Sequence, residues 1–562
     1  MRTRQRKPIN WFLIGILALP LLAAGAYFWA TGMIASLMAY RSLLASAPPA
    51  PGAPFDYAHG QPLTRKVVIV LIDALRYDTS LDASVMPNLD ALRADGAAVA
   101  TMHSRPPSFS APGWTAILTG AWPDISDAQP FNPPDEFSVR AFTQDDLFAA
   151  ADRAGLQTAV SGYFWFEGML ADSGVDEGFY THGEDNAADR AVVDAALPWL
   201  TQDYQLVLIH IDQVDYAGHH EGGPRDPRWD AAASRADALL GEIVAQLDLE
   251  QDTVIVLSDH GQIDIGGHGG AEPVTLLEPF VAAGAGILPG QYGDIQMADV
   301  APTVAVLLGT HIPASSQGRP LLEMLDVSPE VAAQALAAVE VQQAALGAAY
   351  GEAIGQPVEV ADGSGVAATQ QAIEQARKGR LARERVWRNV AAVFLAIFPG
   401  YLLILRKEKR ALWPLGGALV YLAVFHLRYL VLDHKTFGVS SIPGEMEFIL
   451  YVAVTASVAL VLGWLVSMLG LRAFRSGTRQ AAGSALASVW FVLYLLALPI
   501  LLNLAVNGLL PTWTLPEFTI QFLGFFALVQ SLFVAAVGLL LVGVSASVRQ
   551  IYRFVLRKQT HD

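Results

Sequence analysis

The sequence predicts an α/β sandwich on a mostly parallel central sheet, joined to a helical membrane domain with one N-terminal and five C-terminal spans. Three observations lead there. Short, continuous, β-branched apolar runs at Lys66–Ile72, Leu206–Ile211 and Thr253–Leu257 alternate with helix-like stretches, as strands buried on both faces do. Long apolar segments open the chain and fill its C-terminal third. Of 562 residues, 53% are apolar and 16% charged, which fits soluble and membrane parts in one polypeptide.

In chain order, residues 1–42 join a basic tip (Arg2, Arg4, Arg6, Lys7) to an almost uncharged run from Ile9 to about Tyr40. About 20 helical residues rising 1.5 Å each cross a 30 Å hydrocarbon core, so this run is long enough to span. The rival reading is a cleaved signal peptide, since Ala45, Ser46 and Ala47 look like a cleavage site. Against it, the apolar run is too long for such a peptide and Pro48 follows the candidate cut. Residues 43–64 are rich in Pro and Ala and read as a linker. The α/β domain occupies 65–327, with helices expected at Asn88–Ala94, Gln144–Ala154, Ala187–Leu200, Trp229–Leu247 and Ala298–Leu308. Residues 328–386 turn to Ala, Gln and Glu and read as a helical hairpin broken at Gly355–Gly365.

Residues 387–548 hold five expected spans, at about 387–405, 411–432, 447–469, 485–509 and 519–545, followed by a basic tail over 549–562. Basic residues gather between the first and second of these (Arg406, Lys407, Lys409, Arg410), between the third and fourth (Arg472, Arg475, Arg479) and after the last. The two remaining loops carry one basic residue between them, Lys435. With the N-terminus inside, every basic loop falls in the cytoplasm, as the charge bias of membrane proteins requires. This topology describes an integral protein of the cell membrane with both termini cytoplasmic and residues 41–386 outside. The net charge of -17 argues against a nucleic-acid partner. The chain has no cysteine, hence no disulfide, thiolate metal site or cysteine nucleophile.

Each recognisable strand ends in an acid: Asp73 after the first, Asp212 and Asp215 after the second, Asp259 with His260 after the third. Ligands of open α/β sheets bind beyond the carboxyl ends of the strands, so these acids are expected to converge. One strand-end Asp reads equally as a helix cap; three, two of them with histidines close by, point to a site. Asp215 and His219 stand one helical turn apart, and His268 lies among Gly266, Gly267, Gly269 and Gly270. Three Asp and three His make two mixed nitrogen and oxygen sites, for which zinc fits best and manganese is the alternative. His210 and His220 flank these residues and are candidates for support. Ser110 reads as the N-cap of a helix with Pro112 in its first turn and Gly120 at its stop. Its hydroxyl would face the positive end of the helix dipole, where a phosphate is held well. A plain cap is the bland reading; beside six ligand candidates Ser110 is the candidate nucleophile, with Ser108, Thr115 and Thr119 as weaker rivals.

Taken together these residues resemble the alkaline phosphatase superfamily, in particular its type I phosphodiesterase/nucleotide pyrophosphatase branch, which includes the GPI ethanolamine-phosphate transferases. The stretches Leu71–Asp78 with Met86–Leu89, Ser110–Gly120, Asp215–His219 and Ser258–His268 carry the resemblance, with Ala298–Thr303 and Gln317-Gly318 as a fitting tail. It covers roughly 65–325. The resemblance implies an alkaline-phosphatase-like fold and two divalent ions, one held by Asp73, Ser110, Asp259 and His260, the other by Asp215, His219 and His268. It also implies a covalent phospho-enzyme on Ser110 that passes its group to water or an alcohol. Two departures stand out. The branch usually has Thr as nucleophile and Asn three residues on, where this chain has Ser110 and Gly113. Sulfatases carry Arg four residues after the nucleophile, where this chain has Trp114.

A site outside the cytoplasm and tethered to the bilayer favours a phosphoester lipid or glycolipid as substrate, with soluble nucleotides, or a catalytically silent membrane scaffold, as the alternatives. Tyr163 to Phe166, with Tyr163 and Trp165 foremost, read either as an aromatic lip or as core. His426 and Arg428 fall within an expected span toward its outer end, near Asn503 and Asn507. They form a candidate head-group site, with snorkelling or interhelical pairing as the alternative.

Overall fold

The computed structural model describes residues 10–45, 49, 62–359, 365–405, 409–442, 444–473 and 477–559. The basic N-terminal tip, most of the Pro/Ala linker with Ser46 to Pro48, and Arg406, Lys407 and Arg475 lie outside the described residues.

An eight-stranded sheet organises the first half of the chain. Its order is Gly290–Tyr292, Ala97–Val99, Phe280–Gly284, Asp252–Leu257, Lys66–Ile72, Leu206–Ile211, Thr158–Tyr163 and Glu177–Thr181. Only Phe280–Gly284 runs antiparallel to its neighbours. Lys66–Ile72 sits between the two other strands read from the sequence and is parallel to both, Leu71 lying opposite His210 on one side and Leu257 on the other. All three strands are buried throughout. Alternate side chains feed two cores: Val67, Ile69 and Leu71 join one, Val68, Val70 and Ile72 the other. The first core holds the helices Ser110–Thr119 and Val300–Leu308, the second Pro87–Asp95, Asn186–Leu200 and Pro227–Val244. Sheet strands with two apolar faces need cover on both sides, which explains why none of these three strands alternates polar and apolar residues.

Two long helices, Pro329–Ala353 and Val366–Leu405, follow. The first lies against the sheet domain, where buried Gln342 donates to the Ala314 and Ser316 carbonyls and Gln343 to that of Gly318. The helices Trp11–Met38, Lys409–Leu432, Glu445–Gly470, Thr478–Val506 and Phe518–Ser547 are long and apolar enough to cross a membrane, and they mark an integral membrane protein. The segment 387–405 forms the C-terminal half of Val366–Leu405, with Val390, Val393, Phe394, Ile397 and Phe398 exposed along it. The N-terminal helix packs on the helix that begins at Phe518.

Small residues set the closest approach in this bundle. Gly417 and Gly463 face each other so tightly that a Cβ on either would stand 2.3 Å from the carbonyl oxygen of the other. Small-residue contacts replace the missing hydrophobic drive between helices in lipid. Gly463→Val should therefore force the two helices apart and cost about 1–3 kcal/mol. The measurement is the thermal midpoint of the detergent-purified protein, expected to fall by a few degrees; an unchanged midpoint would show that the contact does not matter.

Candidate active site and metal centre

The parallel register places Asp73 beside Asp212, and the Asp73 N–H donates to the Ile211 carbonyl across the strand ends at 2.9 Å. Ala74, the next residue, is held at φ 58°, a left-handed conformation unusual for a residue with a Cβ. In that pose its N–H donates to Asp259 Oδ1 at 3.2 Å. The turn thus spends strain to lock two acids together.

Each of these carboxylates has one satisfied and one bare oxygen. Asp73 Oδ2 accepts from Trp114 Nε1 at 3.2 Å and pairs with His210 Nε2 at 3.0 Å, while Oδ1 is buried without a hydrogen-bond partner. Asp259 Oδ1 accepts from the Ala74 and His260 amides, while Oδ2 is likewise buried and unpartnered. Both bare oxygens face His260 Nε2, at 3.5 and 3.6 Å. The Ser110 hydroxyl lies 3.2 Å from the same nitrogen. On the far side of the imidazole, Nδ1 meets the Gly261 carbonyl at 3.2 Å. A carbonyl only accepts, so Nδ1 carries the proton and Nε2 presents a lone pair to the cluster.

A second cluster adjoins the first. His219 Nε2 and His268 Nε2 approach to 2.9 Å, and each lies 3.4 Å from an oxygen of Asp215. His268 Nδ1 meets the Ser108 carbonyl at 2.9 Å, which again turns Nε2 inward. The His260 and His268 rings stack with centroids 4.0 Å apart, so the clusters share a wall. His219 is the exposed member, its side chain 39% accessible against 3% for His268. The first cluster is sealed and the second opens to solvent.

Charge explains what this geometry needs. Burial, followed by Asp259, Asp215 and Asp212, pushes Asp73 well above the ordinary carboxylate range. Burial raises Asp259 too. Burial would also raise Asp215, but His219 and His268 outweigh it and hold that carboxyl at about 2. Burial lowers His260 to about 4 and His268 to about 3, so both imidazoles are neutral at physiological pH. Bare buried oxygens, mutual repulsion and inward lone pairs are what a divalent cation resolves. The residues of each cluster lie close enough, ligand atoms within 4.8 Å of one another, to hold one ion. Asp73, His210 and Asp212 form a third such group that shares Asp73 with the first.

All seven residues anticipated for the centre come together, and His210 joins them through Asp73. His220 does not: its ring tilts against Tyr216. Ser110 needs a correction. It is the first residue of the helix Ser110–Thr119, not its cap; Phe109 holds that place. Its hydroxyl meets His260 Nε2 and Asn132 Nδ2, so it is turned to the cluster. Gly113 has a packing reason, because a Cβ there would stand 3.0 Å from Asp259 Cβ and carbonyl oxygen. A side-chain amide from another segment reaches the serine. Asn132 Oδ1 accepts from the Ala111 N–H at 3.1 Å, which aims Nδ2 at Ser110 Oγ, 3.4 Å away. Phe166 is core, stacked on Trp114 at 4.1 Å. Tyr163 and Trp165 are half-buried beside it, the Tyr163 hydroxyl donating to Glu184. His426 and Arg428 are not part of this cluster. Arg428 pairs with Asp433 at 3.3 Å and lies over the Tyr451 ring, and His426 packs on Phe425 and Phe437. Asn507 donates to Asn503 and to the Glu517 carbonyl, so that pair ties off a loop.

Residues 67–306 match the family model described as Type I phosphodiesterase / nucleotide pyrophosphatase. The chain is 26% identical over 302 residues to GPI ethanolamine phosphate transferase 2 of Candida albicans, a match covering 50% of this chain and 34% of that one. It is 27% identical over 295 residues to the human GPI ethanolamine phosphate transferase 2 catalytic subunit, covering 48% and 29%. The chain thus spans about a third of the length of these curated relatives. Human ectonucleotide pyrophosphatase / phosphodiesterase 5 superposes with a TM-score of 0.39 at 14% identity, over 47% of this chain and 100% of that one.

The charge pattern sets a pH dependence. A histidine lowered on folding favours the folded state fully above its ordinary value near 6.5, and that contribution is lost as pH falls toward 4 and 3. A raised carboxyl works oppositely: its contribution is fully present below the ordinary carboxylate value of about 4 and is lost as pH rises toward the raised values of Asp73 and Asp259. Zinc added to the chelated protein should therefore raise its thermal midpoint clearly at pH 7.5 and progressively less toward pH 4. Equal shifts at both pH values would contradict this reading.

Proposed function

We propose that this chain is a membrane-anchored, metal-dependent phosphodiesterase or phosphoethanolamine-type transferase that works through a phospho-serine on Ser110. The observation that carries the reading is the convergence of Ser110 Oγ, the bare oxygens of Asp73 and Asp259, and His260 Nε2 on one point. In this reading the first ion is held by Asp73, Ser110, Asp259 and His260, the second by Asp215, His219 and His268. Two divalent ions, zinc or manganese, would supply positive charge that favours Ser110 deprotonation and offsets the charge developing on phosphorus. Ser110 loses its proton to solvent and Oγ bonds to phosphorus as the bond to the ester oxygen opposite breaks; that oxygen takes up a proton from solvent and leaves as an alcohol. Water or an acceptor alcohol then attacks from the vacated side and frees Ser110. Asn132 Nδ2, fixed by the Ala111 amide, donates to a phosphoryl oxygen, the work that an amide at position 113 would do. Tyr163 and Trp165 line the approach to the group being transferred.

Phosphoester groups of lipids or glycolipids are the proposed substrates, and several features support them. The relatives named above are, by their names, GPI ethanolamine phosphate transferases. The open second cluster would admit an acceptor. The two loops expected outside the cytoplasm, 433–446 and 510–518, both meet the soluble part of the chain: Ser440 bonds the Gly270 amide, and Trp513 bonds Glu384. That contact supports a catalytic domain outside the cytoplasm of the cell membrane, with His426 and Arg428 beneath it toward the lipid head groups.

Turnover of bis-p-nitrophenyl phosphate by the purified, zinc-loaded protein tests the reading. Ser110→Ala should reduce it to background, and Asn132→Ala should lower kcat by about a hundredfold, as loss of one donor to a developing oxyanion does. Turnover that survives in Ser110→Ala would sink the phospho-serine.

A further inference from the structure

His268 sits on a strap of glycines, Gly266 to Gly270, that bears little side chain with which to hold itself in place. Its backbone amides are instead held by side chains from three different elements. The Gly267 N–H donates to Gln262 Oε1 at 3.0 Å. The Gly269 N–H donates to Ser108 Oγ at 3.0 Å. The Gly270 N–H donates to Ser440 Oγ at 2.9 Å. The first two anchors belong to the site: Gln262 also donates to Asp215 Oδ1 at 2.6 Å, and Ser108 also bonds His268 through its carbonyl. The third belongs to the loop between the membrane helices Lys409–Leu432 and Glu445–Gly470.

That third anchor is built, not incidental. Ser440 is 3% exposed and donates to Glu272 Oε2 at 2.8 Å. Thr436 of the same loop donates to Glu272 Oε1 at 2.5 Å, so both carboxylate oxygens are taken by the membrane loop. The seam is also close: a Cβ on Gly267 would stand 2.3 Å from the Ser440 carbonyl oxygen, and one on Gly438 would stand 2.3 Å from the Glu272 side-chain oxygen Oε1. Glycine on both sides of the seam allows this approach.

We propose that Ser440, Thr436 and Glu272 form a clamp through which the membrane domain positions His268, so that the second metal site reaches full affinity only with the membrane loop docked. The inference rests on the two-metal reading above. These are positioning residues, since none of them reaches the cluster itself; they act through the strap. Groups that orient a metal ligand from behind are typically worth about 10- to 100-fold in metal affinity. The seam also gives the membrane domain a part in the chemistry beyond anchoring.

The test is a zinc titration of the full-length, detergent-purified, chelator-stripped protein, read by competition with a chromophoric chelator. Ser440→Ala and Glu272→Gln should each weaken the second zinc by about tenfold or more and leave the first unchanged. Ser440→Thr, which keeps the hydroxyl, should retain wild-type affinity. Thermal midpoints taken without metal separate misfolding from the local effect. Wild-type affinity for both zincs in Ser440→Ala and Glu272→Gln would overturn the clamp while leaving the two-metal site standing. A wild-type protein that binds no zinc would overturn the site itself, a distinguishable failure.

Discussion

Adjacent parallel strands run out at the same edge of a sheet, and residues just past their ends become neighbours by geometry alone. In this protein that edge carries carboxylates. Asp73 and Asp259 face one another across it, locked by an alanine in a left-handed turn, and burial with mutual repulsion drives both toward protonation. Such a site is unstable by itself. Most of the surrounding structure follows from having to use that repulsion: the donors that occupy one oxygen of each acid, the imidazoles turned lone-pair inward by backbone carbonyls, and the glycine at 113 that lets the Ser110 helix close on Asp259.

The two halves of the centre differ in kind. The cluster around Ser110 is built on strand ends and sealed. The cluster around His268 is built on a helix and a glycine strap, and opens to solvent. Rigid strand ends hold ligands without help; a strap needs anchors. One of those anchors comes from a loop between membrane helices, which gives a physical reason for the soluble and membrane parts to meet at that point.

Much of this was legible in the sequence because it depends on local pattern. Two of the three strands appear with the bounds that their apolar runs suggest, and the third begins one residue earlier, at Asp252. The acids and His260 follow from strand ends, His219 from helical spacing, and His268 from the glycines around it. Other features depend on tertiary contact and left no local trace. Asn132 lies 22 residues beyond Ser110 in an irregular segment, and nothing near it signals that its side chain reaches Ser110 Oγ. Ser440 and Thr436 read as ordinary loop residues until the strap is laid against them. Ser110 missed its place by one residue because a serine at a helix start has two uses, capping and chemistry, and spacing does not distinguish them. Phe166 illustrates the same ambiguity for aromatics: it packs as core, while Tyr163 three residues earlier remains half-buried.

The central claim is that the two Asp/His clusters hold two divalent ions, one of them beside Ser110. Anomalous diffraction at the zinc edge from crystals of the zinc-loaded protein tests it most directly. The account predicts two peaks, one enclosed by Asp73, Ser110, Asp259 and His260 and the other by Asp215, His219 and His268, separated by about 4 Å as in two-metal phosphoesterases. No peak at the clusters, or zinc bound only elsewhere on the chain, would contradict it.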